Sequence, residues 1–142
     1  MHTAIRFLNE GWDVVGLDNM NEYYSVALKR DRLKVITELS VRLNRCFDMF
    51  TADLNSDIWN TLESYDFEAI IHLAAQAGVR YSIENPNAYL ESNVLGFQKT
   101  LDFAHATRVK KFVYASSSSV YGKTSGQPFN EQATCNSPES YY

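Results

Sequence analysis

Tyr114-Ala115-Ser116-Ser117-Ser118-Ser119-Val120-Tyr121-Gly122 is the stretch on which the fold turns. It begins inside an apolar run, Lys111 to Ala115, that reads as a buried strand and opens into a row of hydroxyls. An open parallel α/β sheet keeps its chemistry just there, outside the carboxyl end of a strand. One loop later the chain reaches Ser140-Tyr141-Tyr142, so a serine on a strand edge has a tyrosine available as a partner. Taken alone, the four serines read equally well as a polar loop that caps the next element.

On either side of this stretch strands and helices alternate, the pattern of a parallel sheet covered on both faces. A helix is expected from Thr3 to Asn9, ending at Gly11, and a strand from Trp12 to Leu17 that stops at Asp18-Asn19. A tyrosine-rich loop leads to a charged helix, Val26 to Leu39, with Leu28, Leu33, Val35, Ile36 and Leu39 available for one face. Phe47 to Ala52 reads as a strand ending in Asp53-Leu54, and Asp57 to Ser64 as a short helix. Ala69 to Leu73 reads as a fully buried strand with a small-residue exit, Ala74-Ala75-Gln76-Ala77-Gly78. Pro86 then starts a long helix, Asn87 to Ala106, its missing N–H costing nothing in a first turn.

Composition narrows the function. With 142 residues, 45% hydrophobic and 13% aromatic, the chain is expected to fill one domain with a core of ordinary size. A net charge of -4 and no basic run longer than Lys110-Lys111 provide no field for nucleic-acid phosphates, so no nucleic-acid partner is expected. No apolar stretch approaches the roughly 20 residues that cross a bilayer, and Met1 to Glu10 carries both charges instead of a signal-peptide core. A cytoplasmic protein without a membrane partner follows. Cys46 and Cys135 stand far apart without a further His/Cys pair nearby, so neither a disulfide framework nor a metal site is expected.

The six glycines are scattered, and none builds a G-x-G-x-x-G phosphate loop. Other segments carry a resemblance: His2 to Asn19, Leu17-Asp18-Asn19-Met20-Asn21-Glu22-Tyr23-Tyr24, His72 through Ala77-Gly78-Val79-Arg80-Tyr81-Ser82, Glu84-Asn85-Pro86, Ser92-Asn93-Val94-Leu95-Gly96-Phe97 and the serine run. With these the chain resembles, from end to end, the NAD-dependent epimerase/dehydratase family of extended short-chain dehydrogenases. Within it the Asn-Glu-Tyr-Tyr and Ala-Gly-Val-Arg-Tyr-Ser segments are most similar to the UDP-glucuronate 4-epimerases. The resemblance implies an α/β fold with a doubly wound parallel sheet, the NAD-binding Rossmann fold, here incomplete. The first strand and glycine-rich loop are expected upstream of Met1, the lysine of a Y-x-x-x-K motif beyond Tyr142, and a C-terminal substrate domain after that. Residues 1–142 would then be a partial NAD-binding domain carrying the family's second to fifth strands, paired 3-2 and 4-5. Such a piece is expected to be inactive and poorly folded in isolation, because the central strand and the phosphate loop are not in it.

The resemblance also assigns roles, residue by residue. Asp18, followed by Asn19, would accept the ribose hydroxyls of the adenosine and disfavour a 2'-phosphate, so NAD is expected rather than NADP; a helix-capping Asp is the competing reading. Asp53 and Leu54 would meet the adenine ring, although a cap for the following helix fits the spacing as well. Leu73, Ala74 and Ala75 would let the cofactor's phosphate and ribose approach the backbone, and as core residues they would look similar. Asn93 would bridge backbone near the active site. Catalysis would pair Tyr142, as phenolate taking the proton of the sugar 4-hydroxyl, with hydride removal at C4 by bound NAD, while Ser117 hydrogen-bonds the same oxygen. The 4-keto sugar would turn over and take the hydride back, interconverting UDP-glucuronate and UDP-galacturonate. Ser118 and Ser119 would donate to the C6 carboxylate. Arg80 would contact carboxylate or phosphate, or else pair with Glu84 one helical turn on. His72 reads as a packed histidine. The partners implied are a UDP-sugar substrate and a second copy in a homodimer. The alternatives are another UDP-sugar 4-epimerase, a non-catalytic nucleotide-binding remnant, or a dehydratase, which would place Asp-Glu where this chain has Ser118-Ser119.

Overall fold

The computed structural model describes residues 1–123 and 128–142. Contacts between backbone segments divide the chain into two compact units, Met1–Asp53 and Leu54–Tyr142.

The first unit is a strand-helix-strand crossover with a helix before it: α1 (His2–Asn9), β1 (Val14–Asp18), α2 (Val26–Leu43) and β2 (Phe47–Thr51). β1 and β2 pair in parallel, with Val14 opposite Phe47 and Asp18 opposite Thr51. Asp13 accepts a hydrogen bond from the Cys46 amide at 2.8 Å and so ties the two strand entrances together. Leu8 of α1 is only 1% exposed and packs with Ile36 and Leu39 of α2, ringed by Ala4, Ile5, Val14, Leu33, Leu43 and Phe47. Full burial of one such side chain is worth about 1.5–3 kcal/mol.

α2 departs from the expectation in two ways. It runs to Leu43, past Leu39, because Asn44 with φ 52° supplies the left-handed cap that ends it. Leu28 and Val35 are exposed, at 46% and 48%. The buried stripe is Leu33, Ile36, Leu39 and Leu43, at the spacing of one helix face, and Leu28 and Val35 fall beside it.

The second unit contains α3 (Ile58–Leu62), β3 (Ala69–His72), α4 (Val79–Glu84), α5 (Pro86–Tyr89), α6 (Gly96–Ala106) and β4 (Lys111–Tyr114). β3 and β4 pair in parallel, Ala69 opposite Lys111 and His72 opposite Tyr114. The described residues thus form two separate two-stranded parallel sheets, β1-β2 and β3-β4. These are the 3-2 and 4-5 pairings that the family resemblance implied, and the fold is the expected α/β type with a partial parallel sheet. Trp59, Phe67 and Phe103 pack in one aromatic cluster, with Trp59 and Phe103 centroids 5.2 Å apart. His72, Phe97, Phe112 and Tyr114 form another. Gly96 allows a close approach: a Cβ there would stand 2.9 Å from a Leu54 methyl carbon.

Two readings of this half are corrected. β3 and β4 are not buried strands: Ala69 to Ile71 are half-buried, and Val113 and Tyr114 are 55% and 57% exposed. Strands of a parallel sheet are buried by neighbours and by helices on both faces, and among the described residues each strand has one hydrogen-bonded neighbour. Leu73 lies beyond the end of β3 and is 58% exposed. The long helix runs without a break from Pro86 to Ala106, as expected, but its middle, Leu90–Leu95, is a π-helical turn between α5 and α6; α4 stands before it where no helix was expected.

Candidate functional site

β1 delivers Asp18 at its carboxyl end, and α2 brings Lys29 against it, Nζ 2.9 Å from Oδ1. The same oxygen accepts the Met20 amide at 2.7 Å, and Oδ2 has no protein partner among the described residues. This aspartate turn holds Met20 at φ 53°, a conformation uncommon for a residue with a side chain. Asp18 is therefore not a helix cap: α2 is capped by Ser25, whose hydroxyl oxygen accepts the Leu28 amide. Beside it Asn19 donates from Nδ2 to Asp53 Oδ2 at 2.9 Å and accepts the Asn21 amide at 3.1 Å. Asp53 does not cap α3, where Asp57 holds the N-cap position. Asp18, Asn19 and Asp53, expected to act together, are gathered at the carboxyl ends of β1 and β2. Lys29 was missed, because from sequence it is one cation among many on a charged helix.

In the second unit the Ala115 amide donates to the His72 carbonyl at 3.1 Å. The exits of β3 and β4 therefore leave from adjacent strand ends. Leu73, Ala74 and Ala75 are all exposed. The chain then dives at Gln76, 8% exposed, where Asn93 takes the backbone in both directions: its Oδ1 accepts the Gln76 amide at 2.7 Å and its Nδ2 donates to the Gln76 carbonyl at 2.9 Å. This is the backbone bridge the resemblance implied for Asn93. Asn93 sits in the π-helical turn, and such turns recur at functional sites because the extra residue re-aims the side chains around it. Leu54 turns its side chain onto Gly96, while its carbonyl accepts the Trp59 indole N–H at 2.8 Å.

His72 is packed, as expected. It is 8% exposed, with its ring 5.1 Å from that of Phe97 and 6.3 Å from that of Phe112. Burial pushes its pKa below 6.5, opposed by a hydrogen bond with the Ala74 backbone.

The serine run has a mixed outcome. Ser117 is extended and caps a 3₁₀ turn, Ser118–Tyr121, its hydroxyl oxygen accepting the Ser119 amide at 3.2 Å. The Ser117 hydroxyl also donates to Ser119 Oγ at 3.3 Å. Gly122, with φ 54°, closes this turn against Ser137, whose carbonyl oxygen would lie 1.9 Å from any Cβ. That contact starts the return of the chain toward Tyr142, which is half-buried with its ring 6.0 Å from that of Tyr89. No hydrogen bond joins Ser117 to Tyr142 among the described residues. Ser118 is exposed. Arg80 is exposed as well and makes no ion pair among the described residues, so the alternative pairing with Glu84 is not formed.

A family model described as GDP-mannose 4,6 dehydratase matches residues 1–142. The chain belongs to this family. It is 40% identical over 141 residues to Protein CapI of Staphylococcus aureus, a match covering 99% of this chain and 41% of that one. It is also 40% identical over 143 residues to a probable UDP-glucuronate 4-epimerase of Rhizobium meliloti, covering 99% of this chain and 40% of that one. Among solved structures, a mutant UDP-glucuronic acid 4-epimerase of Bacillus cereus, in complex with UDP-4-deoxy-4-fluoro-glucuronic acid and NAD, superposes with a TM-score of 0.83 at 28% identity. That superposition covers 99% of this chain and 43% of the Bacillus chain. This family member spans about two fifths of the length of the curated relatives it matches.

Proposed function

We propose that these residues are the cofactor-binding part of a UDP-sugar 4-epimerase that uses NAD and acts on UDP-glucuronate. The observation that carries the reading is the hydrogen-bonded junction of β3 and β4, where the small-residue exit and the serine run leave side by side. The residues fit the cofactor. Asp18 has a carboxylate oxygen without a partner among the described residues, free to accept a ribose hydroxyl, with Asn19 and Asp53 next to it, and Leu73 to Ala75 are exposed so that a phosphate can approach their backbone. NAD, when bound, supplies a hydride acceptor and donor for C4 of the sugar. Tyr142 takes the proton of the 4-hydroxyl and gives it back, and Ser117 hydrogen-bonds the same oxygen, its hydroxyl released from Ser119. Ser118, Ser119 and Arg80 hold the carboxylate that distinguishes a uronate from a neutral sugar. Similarity to relatives described as UDP-glucuronate 4-epimerases supports this substrate, and Ser118-Ser119 in place of Asp-Glu weighs against a dehydratase. The reading extends to a cytoplasmic homodimer with a substrate domain outside residues 1–142.

The test is interconversion of UDP-glucuronate and UDP-galacturonate by a full-length protein carrying these residues. Tyr142→Phe is expected nearly to abolish turnover with NAD still bound, Ser117→Ala to slow it by roughly 10²–10⁴-fold, and Asp18→Ala to weaken NAD binding. Full activity in Tyr142→Phe would remove the proposed base. Equal turnover of neutral UDP-sugars would remove the substrate assignment.

A further inference from the structure

Tyr89 was not singled out by its sequence, yet it is the largest fully buried side chain among the described residues, at 1% exposure. Its single hydroxyl proton is shared between the carbonyls of Ala77, at 2.8 Å, and Gly78. Its ring and that of Tyr142 meet edge to face, centroids 6.0 Å apart and planes at 72°, and the Tyr81 ring lies 6.2 Å away. An edge-to-face contact of this kind fixes the angle of a ring as well as its distance.

Asn93 follows Tyr89 by about one helical turn and bonds to the Gln76 backbone. Two side chains of the α5 and π-turn segment, four positions apart, thus hold three consecutive residues, Gln76, Ala77 and Gly78, by their backbone. Of these two, Tyr89 is the one whose ring meets Tyr142. We infer that Tyr89 is a positioning residue for Tyr142: its hydroxyl is anchored in the β3 exit loop, and its ring sets where the phenol of Tyr142 stands relative to that loop. The inference rests on the proposed role of Tyr142 as the base. The chemistry makes the coupling consequential. A proton and a hydride leave neighbouring atoms of one sugar carbon and its oxygen, so the base must keep its place relative to whatever the exit loop holds. Misplacement by about 1 Å costs a reaction of this kind up to roughly 10²-fold.

Three variants of a full-length protein carrying these residues test it, with kcat, sugar KM, bound NAD and Tm measured for each. Tyr89→Phe keeps the ring and removes the anchor. It is expected to lower kcat by roughly 10-fold, with KM and NAD content within about twofold of the parent. Tyr89→Leu also removes the ring edge and is expected to lower kcat further, with the same split. In a Tyr142→Phe background Tyr89→Phe is expected to change the residual rate by less than about twofold, because the two act through one group. Unchanged kcat in both single variants overturns the inference. So does a parallel fall of kcat, NAD content and Tm, or a failure of Tyr89→Phe to fold, since either assigns Tyr89 to stability alone. If Tyr142→Phe itself retains full activity, the reading of the base falls first, and the inference falls with it for that separate reason.

Discussion

The exits of β1 and β3 offer a ligand different things. β1 ends in charged and amide side chains, Asp18 and Asn19, tied to the largely covered Lys29 and the exposed Asp53 by hydrogen bonds of 2.9 Å. β3 leads into the exposed Leu73, Ala74 and Ala75, and the chain behind them is held by two buried or half-buried side chains, Asn93 and Tyr89. Under the proposed function, a solvent-screened side chain would recognise the cofactor at the first exit. At the second the cofactor would meet main chain, whose geometry is set by Asn93 and Tyr89. Damage to a screened side-chain contact is local and small, whereas damage to a clamp releases a whole loop.

The largest effect is therefore expected at Asn93. Asn93→Ala removes both hydrogen bonds to Gln76 and leaves a part-buried amide and carbonyl unpaired, at about 1–3 kcal/mol for each group. Denaturant unfolding of a full-length protein carrying these residues is expected to show a loss of about 2–5 kcal/mol, together with weaker NAD binding. Asn93→Asp, which keeps the acceptor for the Gln76 amide and loses the donor, is expected to fall between the two. A loss below about 1 kcal/mol in Asn93→Ala would mean that the loop holds itself, and the contrast between the two exits would dissolve.

Which parts of this were legible in the sequence follows from which residues punctuate it. β1, β2 and α1 were readable to within a residue or two because Gly11 and the Asp18-Asn19 pair interrupt clear apolar runs. The parallel pairing of β3 with β4, and the backbone role of Asn93, came from family resemblance. α4 escaped because six residues after a small-residue turn show no helical period. The π-helical turn escaped because inserting one residue into a helix leaves composition and apolar content unchanged. Tyr89 and Lys29 escaped for a common reason: each matters through a partner distant in sequence, Ala77 and Gly78 for one and Asp18 for the other. The serine run was read correctly as a strand exit, yet Ser117 also makes the cap that the plainer reading allowed.

A second, smaller effect separates the exits by pH. His72 lies at the end of β3 with its pKa held below 6.5 by burial, against a hydrogen bond with the Ala74 backbone. A histidine kept neutral in the fold binds more protons when unfolded, so it favours the folded state above pH 6.5 and loses that advantage as the pH falls through the lowered value. Unfolding midpoints in urea are expected to drop between pH 7 and about pH 5, and His72→Gln is expected to flatten that part of the slope. A steeper slope in the variant would mean that His72 is charged in the fold. Residues at the β1 exit supply no corresponding histidine.

The smallest effect is expected at the β1 exit itself, from Lys29→Gln. Lys29 is 18% exposed and Asp18 44%, so their ion pair is partly screened and worth about 0.2–1 kcal/mol at most. Its consequence for a ligand is a matter of sign. The ammonium offsets the carboxylate that would repel a 2'-phosphate, and without it the negative charge of Asp18 stands alone. Titrating NAD and NADP into cofactor-stripped protein, the preference for NAD is expected to rise in Lys29→Gln by no more than about fivefold, mostly through weaker NADP binding. Lys29→Arg is expected to stay near the parent, since it keeps the charge. A fall in the preference would show that Lys29 restrains the cofactor through Asp18 geometry and not through charge. The β1 exit would then be a clamp like the one at β3.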